Sequence, residues 1–115
     1  MRERRRYPRL AAGVRVRLAP GPEAAPAWQG RTRDVGLGGI ALASPHPLLP
    51  GRQLELEFEL PAEKGGRRWL RARGVVRWSR PGSPPVMMGV EFLEFEGSQD
   101  RKVYHDWIQR LAGGS

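Results

Sequence analysis

From Gln53 to Leu60 the chain alternates without a break: Leu54, Leu56, Phe58 and Leu60 are apolar, while Gln53, Glu55, Glu57 and Glu59 are polar. A period of two sends successive side chains to opposite faces of an extended backbone, so one face is buried and the other is wetted. A helix cannot satisfy that pattern, and a single half-buried strand needs partners in a sheet. The rest of the chain supplies them. Val14, Val16 and Leu18 alternate with Arg15 and Arg17, a second segment runs from Trp28 to Arg33, and Ile40 to Ala43 resumes after a glycine-rich break. Over Trp69–Arg77 and its flanks, Leu70, Ala72, Gly74, Val76 and Trp78 fall on one face, and Arg71, Arg73 and Arg77 on the other. The last strand, Val86 to Phe95, sets Val86, Met88, Val90 and Phe92 on one side.

Turn chemistry separates these segments. The stretch Ala19–Ala27 carries three prolines, and Ser44-Pro45-His46-Pro47, Leu48-Leu49-Pro50-Gly51, Lys64-Gly65-Gly66 and Gly82-Ser83-Pro84-Pro85 all read as turns. The period changes only at Ser98, a suitable helix cap, with Asp100 in the first turn where the helix dipole favours a negative charge. Val103, Tyr104, Trp107, Ile108 and Leu111 then recur at helical spacing, and Gly113-Gly114 ends the run, so a helix is expected over 98–112. The predicted fold is mostly β: a small antiparallel, six-stranded, Greek-key-like barrel with a C-terminal helix and a flexible basic N-terminal arm.

A chain of 115 residues has room for one domain, here the barrel and helix over 11–115, preceded by an arginine-rich arm over 1–10. Cysteine is absent, so disulfides and thiolate metal sites are excluded. No stretch approaches the roughly 20 apolar residues of a membrane span, and no apolar run follows the N-terminal arginines as in a signal peptide. Membrane insertion is not expected, and a cytoplasmic location is. The net charge is +8, and residues 1–17 hold seven Arg against one Glu, so the excess is concentrated at one end and favours an anionic partner.

Of the 20 basic residues only two are Lys. Arginine presents a rigid fork of donors that matches phosphate oxygens or the O6/N7 edge of guanine, and it stacks on bases. Arg4-Arg5-Arg6-Tyr7-Pro8-Arg9 concentrates that chemistry, and Asp34-Val35-Gly36-Leu37-Gly38-Gly39 adds a carboxylate able to accept from guanine N1–H and N2–H beside glycines that let backbone approach a ligand. Together they describe a guanine nucleotide. The two segments resemble the hallmarks of the PilZ domain, a bacterial receptor module for the second messenger cyclic di-GMP: RxxxR near the N-terminus and (D/N)xSxxG on a following strand. Ala72-Arg73-Gly74-Val75-Val76-Arg77-Trp78 and Met88-Gly89-Val90-Glu91-Phe92 are similar to the closing strands of such domains.

The resemblance implies ligand contacts at Arg5 and Arg9, with Arg2 and Arg6 as an overlapping second frame, and at Asp34 and Gly39. Gly36 stands where the motif has serine, which removes a hydroxyl worth roughly 0.5–1.5 kcal/mol, or about ten-fold in affinity. Arg4, just before the motif, occupies the position that in the family is associated with a stacked pair of ligands. Trp78 falls in the apolar register of its strand, yet with Arg80 it also suits stacking on a base, so both join a second tier. No catalytic residue, metal or other cofactor is expected: His46 sits between prolines, His105 lies on the polar side of the helix, and no phosphate-binding loop followed by Lys-Ser/Thr occurs. The expected function is cyclic di-GMP binding by a non-enzyme that signals to an unidentified protein partner through ordering of its arm. The alternatives are a PilZ-like adaptor that has lost the ligand at Gly36, and a small basic barrel for nucleic acid, the least favoured partner.

Overall fold

The computed structural model describes residues 9–19, 28–62, 64–80, 82–83 and 85–113. Among them lie strands β1 (Leu10–Ala11), β2 (Arg15–Ala19), β3 (Trp28–Val35), β4 (Gly39–Ser44), β5 (Gln53–Pro61), β6 (Arg67–Ser79) and β7 (Val86–Phe95), followed by helix α1 (Asp100–Gly113). Every pairing is antiparallel. The order β3-β2-β5-β6-β7-β4 closes on itself because β4 also pairs with β3, and β1 is an additional short strand on β3. Closure leaves the six barrel strands without a bare edge, which removes the hazard of edge pairing.

The alternation in β5 does what its pattern demands. Leu54, Leu56, Phe58 and Leu60 are each about 1% exposed, and they meet Val16, Leu18, Leu42, Leu70, Val76, Met88 and Val90 in one core. Helix α1 closes one end of the barrel with Tyr104, Trp107 and Ile108, and Tyr104 stands among Phe58, Phe92 and Phe95 at ring-centroid separations of 5.2 to 5.6 Å. The helical stripe fades before its predicted end, since Leu111 is exposed. Among the described residues no helix is long and apolar enough to cross a membrane.

Strands β1 and β2 pair with successive stretches of the same strand, β3. Leu10 and Ala11 pair with Val35 and Asp34, whereas Arg15 to Leu18 pair with Arg31 to Trp28. Between the pieces Ala12 N–H donates to the Arg33 carbonyl at 3.2 Å and Thr32 N–H to the Val14 carbonyl at 3.0 Å, and a side chain reinforces them: the Thr32 hydroxyl accepts from Val14 N–H at 2.8 Å and donates to the Ala12 carbonyl at 2.7 Å. The sheet thus takes Leu10 from the segment assigned to the arm, while residues 1–8 lie outside the described residues. Strand β3 also continues past Arg33, so Asp34 and Val35 belong to the sheet, with a register shift between Thr32 and Asp34.

The outer faces of β2, β5, β6 and β7 carry a lattice of ion pairs. Arg15 and Arg67 flank Glu59, Arg17 and Arg71 flank Glu57, Arg73 meets Glu94, and Arg77 meets Glu91. Opposite charges on neighbouring strands stabilise by modest amounts, about 0.2–1 kcal/mol each. Asp100 anchors the helix to the same sheet by accepting from Arg71 N–H and pairing with Arg68.

Candidate ligand-binding site

The fold brings Arg9 and Asp34 together. Strand β1 runs alongside the end of β3, with Ala11 opposite Asp34, and the residue just before β1 swings its guanidinium onto that carboxylate: Arg9 Nη1 lies 3.0 Å from Asp34 Oδ1. Arg33 reaches the other oxygen, Oδ2, at 3.4 Å. Arg33 is the extra residue of the register shift between Thr32 and Asp34, which is how neighbouring residues on a strand come to act on one side. Two arginines share one carboxylate, and that carboxylate retains 20% of its exposure, so the group is open to an incoming anion.

Asp34 begins a row that crosses the sheet. It stands opposite Ala41 of β4, Ala41 opposite Gly89 of β7, and Gly89 opposite Trp78 of β6. Directly opposed residues share a face. The chain neighbours of Ala41 and Gly89, namely Ile40, Leu42, Met88 and Val90, fill the core, so the row lies on the outside of the barrel. It forms a floor of small residues between a carboxylate and an indole, spanning three strand spacings or about 14 Å, and the floor is covered: Ala41 is 2% exposed and Gly89 is buried against the Trp78 ring. A Cβ on Gly89 would come within 2.1 Å of the Trp78 Nε1, so glycine is what allows the ring to lie down there. Arg80 follows, its guanidinium 5.6 Å from the Trp78 ring centroid, which places a cation over the aromatic wall.

Trp78 is thus not a core residue, although strict alternation from Leu70 placed it there. The ladder between β6 and β7 shifts register between Val76 and Trp78, and the extra residue turns both Arg77 and Trp78 outward.

The glycine turn has a different role from the expected exposed backbone. Gly36 and Gly39 are buried, and the Gly36 N–H donates to the Gly39 carbonyl at 2.9 Å. A Cβ on Gly39 would sit 2.2 Å from the Val90 carbonyl oxygen, so the position is glycine because β7 passes close by. The Gly38 carbonyl accepts from Phe92 N–H at 2.9 Å, and the Tyr104 hydroxyl donates to the Gly36 carbonyl at 2.6 Å. Burial pushes the Tyr104 phenol well above its ordinary range, partly opposed by the positive charge of Arg9, so the hydroxyl remains a donor. Arg4 and Arg5 lie outside the described residues. Among the described residues no group of His, Cys, Asp or Glu could hold a metal ion.

Comparison with known proteins decides the family. The PilZ domain model matches residues 3–110. The chain belongs to the PilZ domain family. Among solved structures it is similar to the Bacillus subtilis inhibitor of motility MotI/DgrA, with 25% identity over 98% of this chain and 53% of that one, at a TM-score of 0.77. The PilZ domain of YcgR from Escherichia coli, solved with c-di-GMP, shares the fold at a TM-score of 0.68, with 17% identity over 97% of this chain and 94% of that domain. The K. pneumonia MrkH–c-di-GMP complex does so at 0.64, with 18% identity over the whole of this chain and 56% of that one. This PilZ chain thus spans about half the length of MotI/DgrA and MrkH. Against curated proteins it finds no significant match.

Sequence reasoning did not single out Ala41, Gly89 or Tyr104. The first two carry no chemistry of their own and gain meaning only from strand register. Tyr104 was visible as one apolar position of a helical stripe, and nothing in its spacing announces that its hydroxyl reaches a turn 68 residues away.

Proposed function

We propose that this PilZ chain is a non-catalytic receptor for cyclic di-GMP. The observation that carries the reading is the placement of Arg9 on Asp34, at 3.0 Å, beside the small-residue floor that ends at Trp78. Arg9 exchanges its carboxylate for a ligand phosphate or the O6/N7 edge of guanine, with Arg5 as the second arginine of the motif. Asp34 then accepts from guanine N1–H and N2–H. A flat base reaches the covered floor of Ala41 and Gly89 when the side chains over it, Trp78 among them, swing aside, and Trp78 with Arg80 then stacks against it. Gly39 shapes the turn through its contact with β7 and does so without a side chain. Capture of the N-terminal arm by the ligand, with Arg9 and Leu10 already held at the sheet, changes the surface offered to a protein partner, to an extent set by the ligand's differential affinity for the two states. Arg4 supports a second, stacked ligand molecule.

The test is calorimetric titration of cyclic di-GMP into the wild type, Arg5→Ala and Asp34→Ala at physiological salt. Saturable heat in the wild type that disappears in both variants is the expected result, and a stoichiometry near two identifies the stacked pair. Absence of heat at high micromolar ligand overturns the receptor reading. It favours the second reading, an adaptor without ligand, whose support is that Gly36 offers no hydroxyl and commits its carbonyl to Tyr104. Salt-dependent binding of single-stranded oligonucleotides in place of the dinucleotide identifies a nucleic-acid barrel instead.

A further inference from the structure

The motif turn of residues 36–39 is held from below by two elements that carry none of the motif. One is the backbone of β7, through Phe92 N–H to the Gly38 carbonyl; the other is helix α1, through the Tyr104 hydroxyl to the Gly36 carbonyl. The second hold is unusual in kind. Tyr104 is 2% exposed and ringed by Phe58, Phe92, Phe95 and Trp107, so its hydroxyl is the polar end of an otherwise aromatic cluster. A buried acceptor left without its donor is expensive, so the Gly36 carbonyl and the tyrosine hydroxyl fix each other's positions. The turn is also short of side-chain support of its own, because Gly36, Gly38 and Gly39 contribute none.

We propose that Tyr104 is the positioning residue of the ligand-binding turn, and that through it the docking of helix α1 sets the affinity of the site. This rests on the receptor reading and adds its regulation. The hydroxyl supplies from beneath the fixing of residue 36 that a side chain at that position would supply locally, so Asp34 and Arg9 are presented in a single geometry despite glycine. By linkage, whatever loosens α1 weakens the ligand, and the ligand protects α1 by the same factor. The anchor is specific to the hydroxyl: Val103, Trp107 and Ile108 pack the helix on the barrel, but the described hydrogen bond from the helix to the turn is that of Tyr104.

The experiment compares wild type, Tyr104→Phe and Ile108→Val in two measurements: cyclic di-GMP affinity, and amide hydrogen exchange with and without the ligand. Tyr104→Phe keeps the ring and removes the donor, whereas Ile108→Val loosens helix packing away from the turn. The expected result is an affinity three- to ten-fold weaker in Tyr104→Phe, the span of about one net hydrogen bond, and within two-fold of wild type in Ile108→Val. Exchange at Gly36 and Phe92, the amides that hold the turn, should quicken in Tyr104→Phe alone, and ligand protection of α1 should shrink with it. Equal affinity loss in both variants, or unchanged exchange at Gly36 and Phe92 in Tyr104→Phe, overturns the proposal. If the wild type binds no cyclic di-GMP, the receptor reading falls by itself. The ligand-free exchange then decides alone: selective quickening in Tyr104→Phe retains the positioning role, and its absence removes it.

Discussion

The arginines of this chain live in two different electrostatic settings. On β2, β5, β6 and β7, Arg15, Arg17, Arg67, Arg71, Arg73 and Arg77 each face a glutamate from a neighbouring strand. At the end of β3 Arg9 and Arg33 share Asp34 in the same two-to-one way, but this carboxylate stands in one row with Trp78, on which Arg80 rests. The guanidinium is the same group in both places. What differs is the setting: the lattice carboxylates face only arginines of neighbouring strands, whereas Asp34 begins a row of small residues that ends at an aromatic ring. Arginine content alone therefore overstates anion binding, because much of it is lattice; an arginine–carboxylate pair in line with an aromatic ring is the better indicator.

The strongest way to break the contrast is to remove the shared carboxylate. Asp34→Ala strips two charge-assisted contacts from the site and should weaken cyclic di-GMP by about a hundred-fold, with thermal stability changed far less, as calorimetry and a melting curve would show. Next comes the floor. Gly89→Ala pushes a methyl group toward the Trp78 indole, a movable side chain, so the barrel should survive. Affinity should fall by about five-fold or more, the loss of a stacked base, with a shift in tryptophan emission. Substitution in the lattice sharpens the comparison from the other side. Arg73→Ala or Arg77→Ala should cost under about 1 kcal/mol in a urea titration and leave ligand affinity within about two-fold.

The buried phenol gives a slower test of the same end of the molecule. Tyr104 is held protonated in the fold but ionises near pH 10 once unfolded, so the folded state binds more protons in alkali. That stability is present in full below about pH 10 and is lost as pH rises above it, by at most about 1.4 kcal/mol per pH unit. Urea midpoints between pH 9 and pH 11.5 should fall more steeply for wild type than for Tyr104→Phe.

Much of the barrel was legible because burial writes itself into periodicity. The β5 alternation, the span Val86–Phe95 and the turn at Lys64-Gly65-Gly66, where both glycines adopt positive φ, all stand where the pattern put them. Errors arose where a period was interrupted. Trp78 was assigned the inner register because one extra residue in β6 cannot be seen in a string that still alternates, and β1 was hidden because two residues are too few to show a period. At the site, Asp34 and Arg9 were readable as chemistry. Ala41 and Gly89 were not, since a floor is defined by what stands opposite in the sheet. Arg4 and Arg5 keep the standing that the motif resemblance gives them.

Thr32 marks a seam between the binding end and the barrel. Its hydroxyl holds Ala12 and Val14 beside the backbone bonds of the same residues, so the short piece at Leu10–Ala11 that carries Arg9 and the long piece at Arg15–Ala19 meet at one polar side chain. The strand beyond is fastened on both sides, to β3 and along Val16 to Ala19 to β5, so the binding end has one sheet neighbour where the barrel strand has two.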